Sequence, residues 1–165
     1  MKEIFTRTSV RSFEDKPVEK DIVLKLLKAA FASPSAKNQM PWEFFIVTNK
    51  EVLKKLGEVQ PYAFPAAKAP AAIVVAYPKE GLPVQEKAQS DCAIVTENLW
   101  LACEELGLGG VMLGIAPDEE RMKLTAEAIN LPDHLAAFTI FPFGYPSKRH
   151  PQEDRWNEEK IHFIE

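Results

Sequence analysis

Apolar positions along this chain recur with two different spacings, and the changes from one to the other mark the expected elements. From Glu19 to Ala32, residues Ile22, Val23, Leu26, Leu27, Ala30 and Phe31 repeat as one face of a helix. That spacing predicts an amphipathic helix. Ahead of it, residues 1–8 are expected to form a short helix with Ile4 and Phe5 as its apolar face, delivering Arg7 to a loop that Phe13 anchors and Pro17 ends. Trp42–Thr48 is aromatic and β-branched and reads as a buried strand. Asn49 is placed to cap a helix running to about Leu56, with Gly57 at its end. Ala71–Tyr77 reads as a second buried strand, closed by Pro78.

The longest helical stretch runs from about Val84 to Leu106. Ala93, Ile94, Leu99, Trp100, Leu101, Ala102 and Leu106 put apolar surface on more than one side of it. Such a helix has to be covered on several sides. It is expected at the centre of the core, with one flank available to a second subunit. Gly107-Leu108-Gly109-Gly110 ends it, and Val111–Ile115 is strand-like. Asp118 is an N-cap for a helix through Ile129, with Glu119 and Glu120 in its first turn. Leu135–Phe141 forms a further strand, ended by Pro142-Phe143-Gly144-Tyr145-Pro146. After Pro146 the chain turns charged and polar, and residues 147–165 hold too little apolar content to fold alone. That tail is expected to lie on a partner subunit.

Composition narrows the function classes. A chain of 165 residues, 46% hydrophobic and 27% charged, is expected to fold as one globular domain without staples. A net charge of −4 and a pI near 5.5 argue against nucleic acid as a partner. No apolar run approaches the roughly 20 residues of a membrane helix, and the N-terminus lacks the apolar stretch of a secretion signal. No membrane association and a cytoplasmic location are the expectation. Cys92 and Cys103 lie in one helical stretch, about 16 Å apart along its axis, too far to pair within the helix. Both are expected to pack in the core.

The candidate chemistry begins at Arg7-Thr8-Ser9-Val10-Arg11-Ser12-Phe13, which places two guanidinium groups and three hydroxyls close together. An arginine fork matches phosphate oxygens two at a time, and hydroxyls complete an anion's hydrogen-bond shell. Ser33–Trp42, with two prolines and small polar residues, reads either as a ligand-facing loop or as an ordinary helix-to-strand turn. Pro61, Tyr62, Phe64 and Pro65 read either as a lid or as core. The glycines at 107–110 follow a helix and precede a strand, the reverse of a dinucleotide fingerprint. Their roles are helix capping or, at Gly114 above all, close backbone approach to a flat ligand. His134, His150 and His162 have no metal-ligand spacing, and there is no nucleophile elbow or P-loop. No residue stands out as a catalytic nucleophile or base, so a bound cofactor is the expected source of any chemistry.

Taken in order, Arg7–Phe13, Ser33-Pro34-Ser35-Ala36 through Pro41-Trp42, Gly107–Gly110 and Gly144-Tyr145-Pro146 resemble the motifs of the nitroreductase family over nearly the whole chain. The resemblance implies an α+β fold with a central mixed sheet flanked by helices. It implies a homodimer with the long helix at core and interface, binding FMN between subunits. The implied activity is ping-pong hydride transfer from NADH or NADPH to a nitroaromatic, quinone or similar conjugated acceptor. A specialised flavoenzyme of the same fold, such as a dehydrogenase or dehalogenase, and a flavin-binding or flavin-delivering protein are the alternatives.

Residue by residue, the resemblance assigns Arg7 and Ser9 to the ribityl phosphate side and Arg11 to the pyrimidine end of the ring, where a cation stabilises the negative charge of reduced flavin. It gives Thr8 backbone or hydroxyl contacts. Pro34, Ser35, Ala36 and Asn38 match a loop offered by the second subunit. Leu113 and Gly114 match the backbone facing flavin N5 and O4, and Arg155 matches a tail cation that closes on the phosphate. The pattern is broken at Met40, where the family usually carries Gln, and at Glu153, where many relatives carry a second cation. Lys148 and Arg149 are the nearby cations available to stand in.

Overall fold

The computed structural model describes residues 1–165. Its inner strand is β2 (Ala71–Pro78), in which every residue from Ala71 to Tyr77 is buried. β2 pairs with β1 (Glu43–Val47) on one side and β5 (Leu135–Gly144) on the other. The far side of β5 carries two short strands, β3 (Gly109–Gly110) and β4 (Leu113–Gly114). All these ladders are antiparallel. The parallel pairing in the sheet is the isolated bridge between Ser9 and Gly110, and the mixed character of the sheet rests on that bridge.

Side chains alternate across a strand, so β2 feeds two cores. Ile73, Val75 and Tyr77 join the cluster beneath α2 (Lys20–Phe31) and α5 (Ala88–Glu105). Ala72, Val74 and Ala76 join the opposite cluster, under α3 (Lys50–Leu56), α4 (Phe64–Lys68) and α6 (Glu119–Ile129). Helices therefore flank the sheet on both faces. Asn49 and Asp118 cap α3 and α6 as expected, with side chains accepting from first-turn amides.

A β-bulge at Phe138 has consequences for the site. Val75 pairs with Thr139 but the next residue, Ala76, pairs with Ala137, so Phe138 is the extra residue on β5. Its carbonyl accepts from Ala116 N at 3.0 Å, and the neighbouring Thr139 hydroxyl donates to the Leu113 carbonyl at 2.6 Å. The bulge thereby fixes the course of residues 113–116.

Several boundaries differ from the sequence-based expectation, each for a local reason. β1 is only partly buried, because it is an edge strand. Residues 111–115 do not form one strand: the regular ladder with β5 breaks between Gly110 and Leu113, opposite Pro142, which has no N–H to return the Val111 bond. β5 runs on through Pro142 to Gly144, since the Pro142 carbonyl still accepts from Val111 N and only a donor position is lost. Regular α5 starts at Ala88 rather than Val84, because Gln85–Lys87 form a tighter 3-10 turn, closed by Lys87 N on the Val84 carbonyl at 3.0 Å. The short helix α1 (Lys2–Thr6) forms as expected, but Ile4 and Phe5 are exposed.

Candidate functional site

The clamp segment leaves α1 at Arg7 and is drawn alongside the sheet by the Ser9–Gly110 bridge and the Val10 N to Gly110 O bond of 2.9 Å. This approach demands glycine at the bridge. A Cβ on Gly109 would lie 2.5 Å from a Val10 methyl carbon, and one on Gly110 would lie 2.5 Å from the Phe141 ring. Gly109 thus serves packing of the clamp against the sheet, and Gly110 serves packing against β5.

Arg7, Thr8, Ser9 and Arg11 then line one side of a mostly polar cavity of about 250 Å³. His150, Gln152, Glu153 and Arg155 of the tail line the other. Three arginines face one carboxylate there, which makes the cavity an anion site by charge. Gln152 fastens the tail to the clamp, donating to the Ile4 carbonyl at 3.0 Å and the Arg7 carbonyl at 3.3 Å.

The Arg7 guanidinium sits 4.0 Å above the Trp100 ring, with its Nε 3.8 Å from Glu97. Its side chain is only 16% exposed, and Nη1 is buried with no hydrogen-bond partner. A buried guanidinium N–H without an acceptor is unfavourable by a few kcal/mol at most. Arg11 is exposed and its Nη1 reaches the Ser9 carbonyl at 3.4 Å. Arg155 is also exposed and pairs with Glu153 at 3.5 Å. An exposed pair of this kind is weak and yields readily to a stronger anion. Arg149 does not stand in for a second tail cation: it is bound to Glu104 and to the Leu108 carbonyl. Lys148 does not line the cavity either.

Pro34, Ser35, Ala36 and Asn38 do not reach this cavity. They pack against a different part of α5, where Asp91 accepts from Ala36 N at 3.0 Å and Asn98 donates to the Ser33 hydroxyl at 2.8 Å. Trp100 is nine residues beyond Asp91, and at about 100° per residue the two side chains leave the helix on opposite faces. One chain therefore presents its loop and its arginine cavity in different directions. The Ala36 amide is taken by Asp91, so it is not among the donors this loop offers outward.

Leu113 and Gly114 sit where the bulge of β5 puts them. The Leu113 side chain is buried in the core, leaving only its backbone for a ligand. Gly114 is exposed, and a Cβ added to it would meet nothing within 4 Å. No packing within the chain requires glycine there. The Gly114 carbonyl is held by Gln60 Nε2 at 3.1 Å. Gln60, His150, Gln152 and the Asp91–Gln39 pair are contributions that sequence reasoning missed, because none belongs to a recognisable spacing. Tyr62 and Phe64, expected as lid or core, are exposed at the surface. Their neighbours Ala63, Pro65 and Ala66 supply the buried part of that segment.

The profile of the Nitroreductase family matches this chain over residues 4–88 and 61–145. A protein of Archaeoglobus fulgidus with the provisional name NADH dehydrogenase/NAD(P)H nitroreductase is 39% identical, over 98% of this chain and 95% of its own. Among solved structures, a Clostridium acetobutylicum protein provisionally named NADH oxidase superposes with a TM-score of 0.94 at 37% identity, covering 99% of each chain. An FMN-dependent nitroreductase of Clostridium difficile superposes with a TM-score of 0.91 at 29% identity, covering 99% of this chain and 98% of its own. With its sheet, clamp segment and long central helix in the same arrangement, the chain belongs to the Nitroreductase family.

Proposed function

We propose that the protein is a homodimeric FMN-dependent oxidoreductase that carries hydride from NADH or NADPH to a nitroaromatic, quinone or similar conjugated acceptor by a ping-pong route. The observation that carries this reading is a cavity in which Arg7, Arg11 and Arg155 and the hydroxyl-bearing Thr8 and Ser9 gather around a single carboxylate, Glu153. Such a donor set fits the phosphate of FMN. Arg7 and Ser9 would hold the phosphate, with Arg155 closing from the tail and Thr8 adding polar contacts. Arg11 would lie nearer the pyrimidine end, where a cation favours the negative charge that accompanies reduction. The open space at Gly114 and its exposed backbone suit the approach of a flat ring. Bound FMN supplies the hydride chemistry, which no side chain of this site offers by itself.

A second subunit would complete the site. Pro34, Ser35, Ala36 and Asn38 point away from their own chain's cavity and would serve the partner's. Where α1, α2 and α5 meet, Met1, Ile4, Ala29, Ala32, Leu101 and Ala102 line a shallow groove, with Phe5, Phe31, Leu24 and Ile94 also exposed. Trp156, Ile161, Phe163 and Ile164 in residues 147–165 are exposed as well, the amount of apolar surface a partner would cover. No helix is long and apolar enough to cross a membrane, and a cytoplasmic site of action fits the proposed donors.

The visible spectrum of the purified protein tests the reading. A yellow protein that releases FMN, and whose absorbance bleaches anaerobically with NADH or NADPH and returns on adding a quinone, is the expected result. A colourless protein that cannot be reconstituted with FMN would overturn it. FMN bound tightly but reduced by neither nicotinamide would favour flavin delivery instead.

A further inference from the structure

The loop after α2 has an unusual backbone. Lys37, Asn38 and Met40 all have left-handed φ, at 48°, 54° and 41°, and none of them is glycine. Each such residue is unfavourable by on the order of 1 kcal/mol, so the loop needs neighbours that hold it in shape. Asp91 is the centre of that restraint. It is 3% exposed, and its carboxylate accepts from the Ala36 amide at 3.0 Å and from Gln39 Nε2 at 2.7 Å. No lysine or arginine pairs with it. A buried carboxylate without a cation is unfavourable unless its hydrogen bonds serve a purpose elsewhere.

Gln39 cannot turn its amide over to suit a different partner. Its Oε1 accepts from Val84 N at 3.0 Å while its Nε2 donates to the Val84 carbonyl at 3.1 Å and to Asp91. Seven residues beyond Asp91 and on the same face of α5, Asn98 ties down Ser33 at the start of the loop. The loop is thus gripped at its entry and through its turn by one helix face.

We infer that Asp91, acting through Gln39 and the Ala36 amide, is a positioning residue that sets Pro34–Asn38 in the shape offered to the cofactor. This inference rests on the FMN reading above. The Met40 side chain is half exposed, and its amide donates to the Ser35 hydroxyl at 2.9 Å, so the polar contacts to α5 at this turn come from Gln39.

Titration of the flavin-free, full-length protein with FMN, followed by flavin fluorescence, tests it. In Asp91→Asn an amide nitrogen or a weaker acceptor faces Gln39 Nε2, and FMN should bind about ten-fold more weakly. Gln39→Glu alone sets two carboxylates against each other and should weaken binding by at least as much. The double variant Asp91→Asn/Gln39→Glu restores a donor and an acceptor between the two positions but still sets a carboxylate oxygen against the Val84 carbonyl, so it should bind FMN several-fold more tightly than Gln39→Glu without reaching the natural protein. Gln39→Ala, which adds no buried charge, provides a further measure and should weaken FMN several-fold. Single variants that bind FMN like the natural protein would overturn the inference, as would a double variant no better than Gln39→Glu. If the natural protein itself takes up no FMN, the flavin reading fails and this inference falls with it.

Discussion

Arg7 lies 4.0 Å above the ring of Trp100, so the cation of the clamp and the aromatic face of α5 form one unit. The indole restrains the guanidinium, whose Nη1 is buried with no protein acceptor. A preoriented fork loses less freedom on meeting an anion than a free side chain does. Arg7→Ala is expected to weaken FMN binding by about 2 kcal/mol through loss of a charge-assisted contact. Unchanged affinity in a flavin titration would remove Arg7 from the phosphate site.

Trp100→Leu should weaken FMN by about 1 kcal/mol, since it leaves the charge in place and removes only the platform. Trp100→Phe should recover most of that loss. The same titration checks both, and equal effects of Leu and Phe at this position would show that the ring face contributes nothing.

Two glycines separate packing from site chemistry. Gly110→Ala forces a Cβ to within 2.5 Å of the Phe141 ring, and should lower stability by about 1–3 kcal/mol in a denaturant melt. Gly114→Ala meets no atom within 4 Å and should leave stability within about 0.5 kcal/mol of the natural protein. Its expected effect is on reduction by NAD(P)H instead, measured as the rate of bleaching of the flavin absorbance. Normal reduction in Gly114→Ala would place the ring elsewhere.

The two cysteines should be silent in the folded protein and visible at alkaline pH. Burial, and then the adjacent Asp91 charge, push the Cys92 thiol from near 9 up to about 12. Burial is also the main cause that raises Cys103, with Glu104 adding to it and Arg149 opposing. Between pH 9 and 12 the unfolded chain gives up these thiol protons while the folded chain keeps them, so stability is full below about pH 9 and falls above it. Each thiol contributes a slope of about 1.4 kcal/mol per pH unit in that range. Cys92→Ala should flatten the decline in a series of denaturant melts, and an aromatic disulfide reagent at pH 8 should label neither thiol until the protein is unfolded.

The proposed dimer predicts a further result. Sedimentation of the flavin-loaded protein should give twice the mass of the 18.6 kDa chain. Ile94→Asp, on the exposed flank of α5, should shift the protein towards monomer and release FMN with it. A flavin-loaded monomer would contradict the two-subunit site.

The sequence by itself determined the helices at 20–31, 50–56, 88–105 and 119–129, and strands β2 and β5, to within a few residues. Their apolar spacing and capping residues act locally, and local effects can be read along a chain. It also determined the cluster of charge in Arg7–Arg11, because those residues are neighbours in sequence. The rest of the site depends on distant contacts. The bulge at Phe138 fixes Leu113 and Gly114 from 25 residues away. Arg149 is bound to Glu104 and Leu108 instead of joining the anion cavity, while His150 and Gln152 enter it. Asp91 belongs to no motif or spacing in the sequence, yet it is buried and holds a loop 55 residues earlier in the chain. A hydrogen bond between residues so far apart has no periodicity and no fixed spacing, and only folding brings its two ends together.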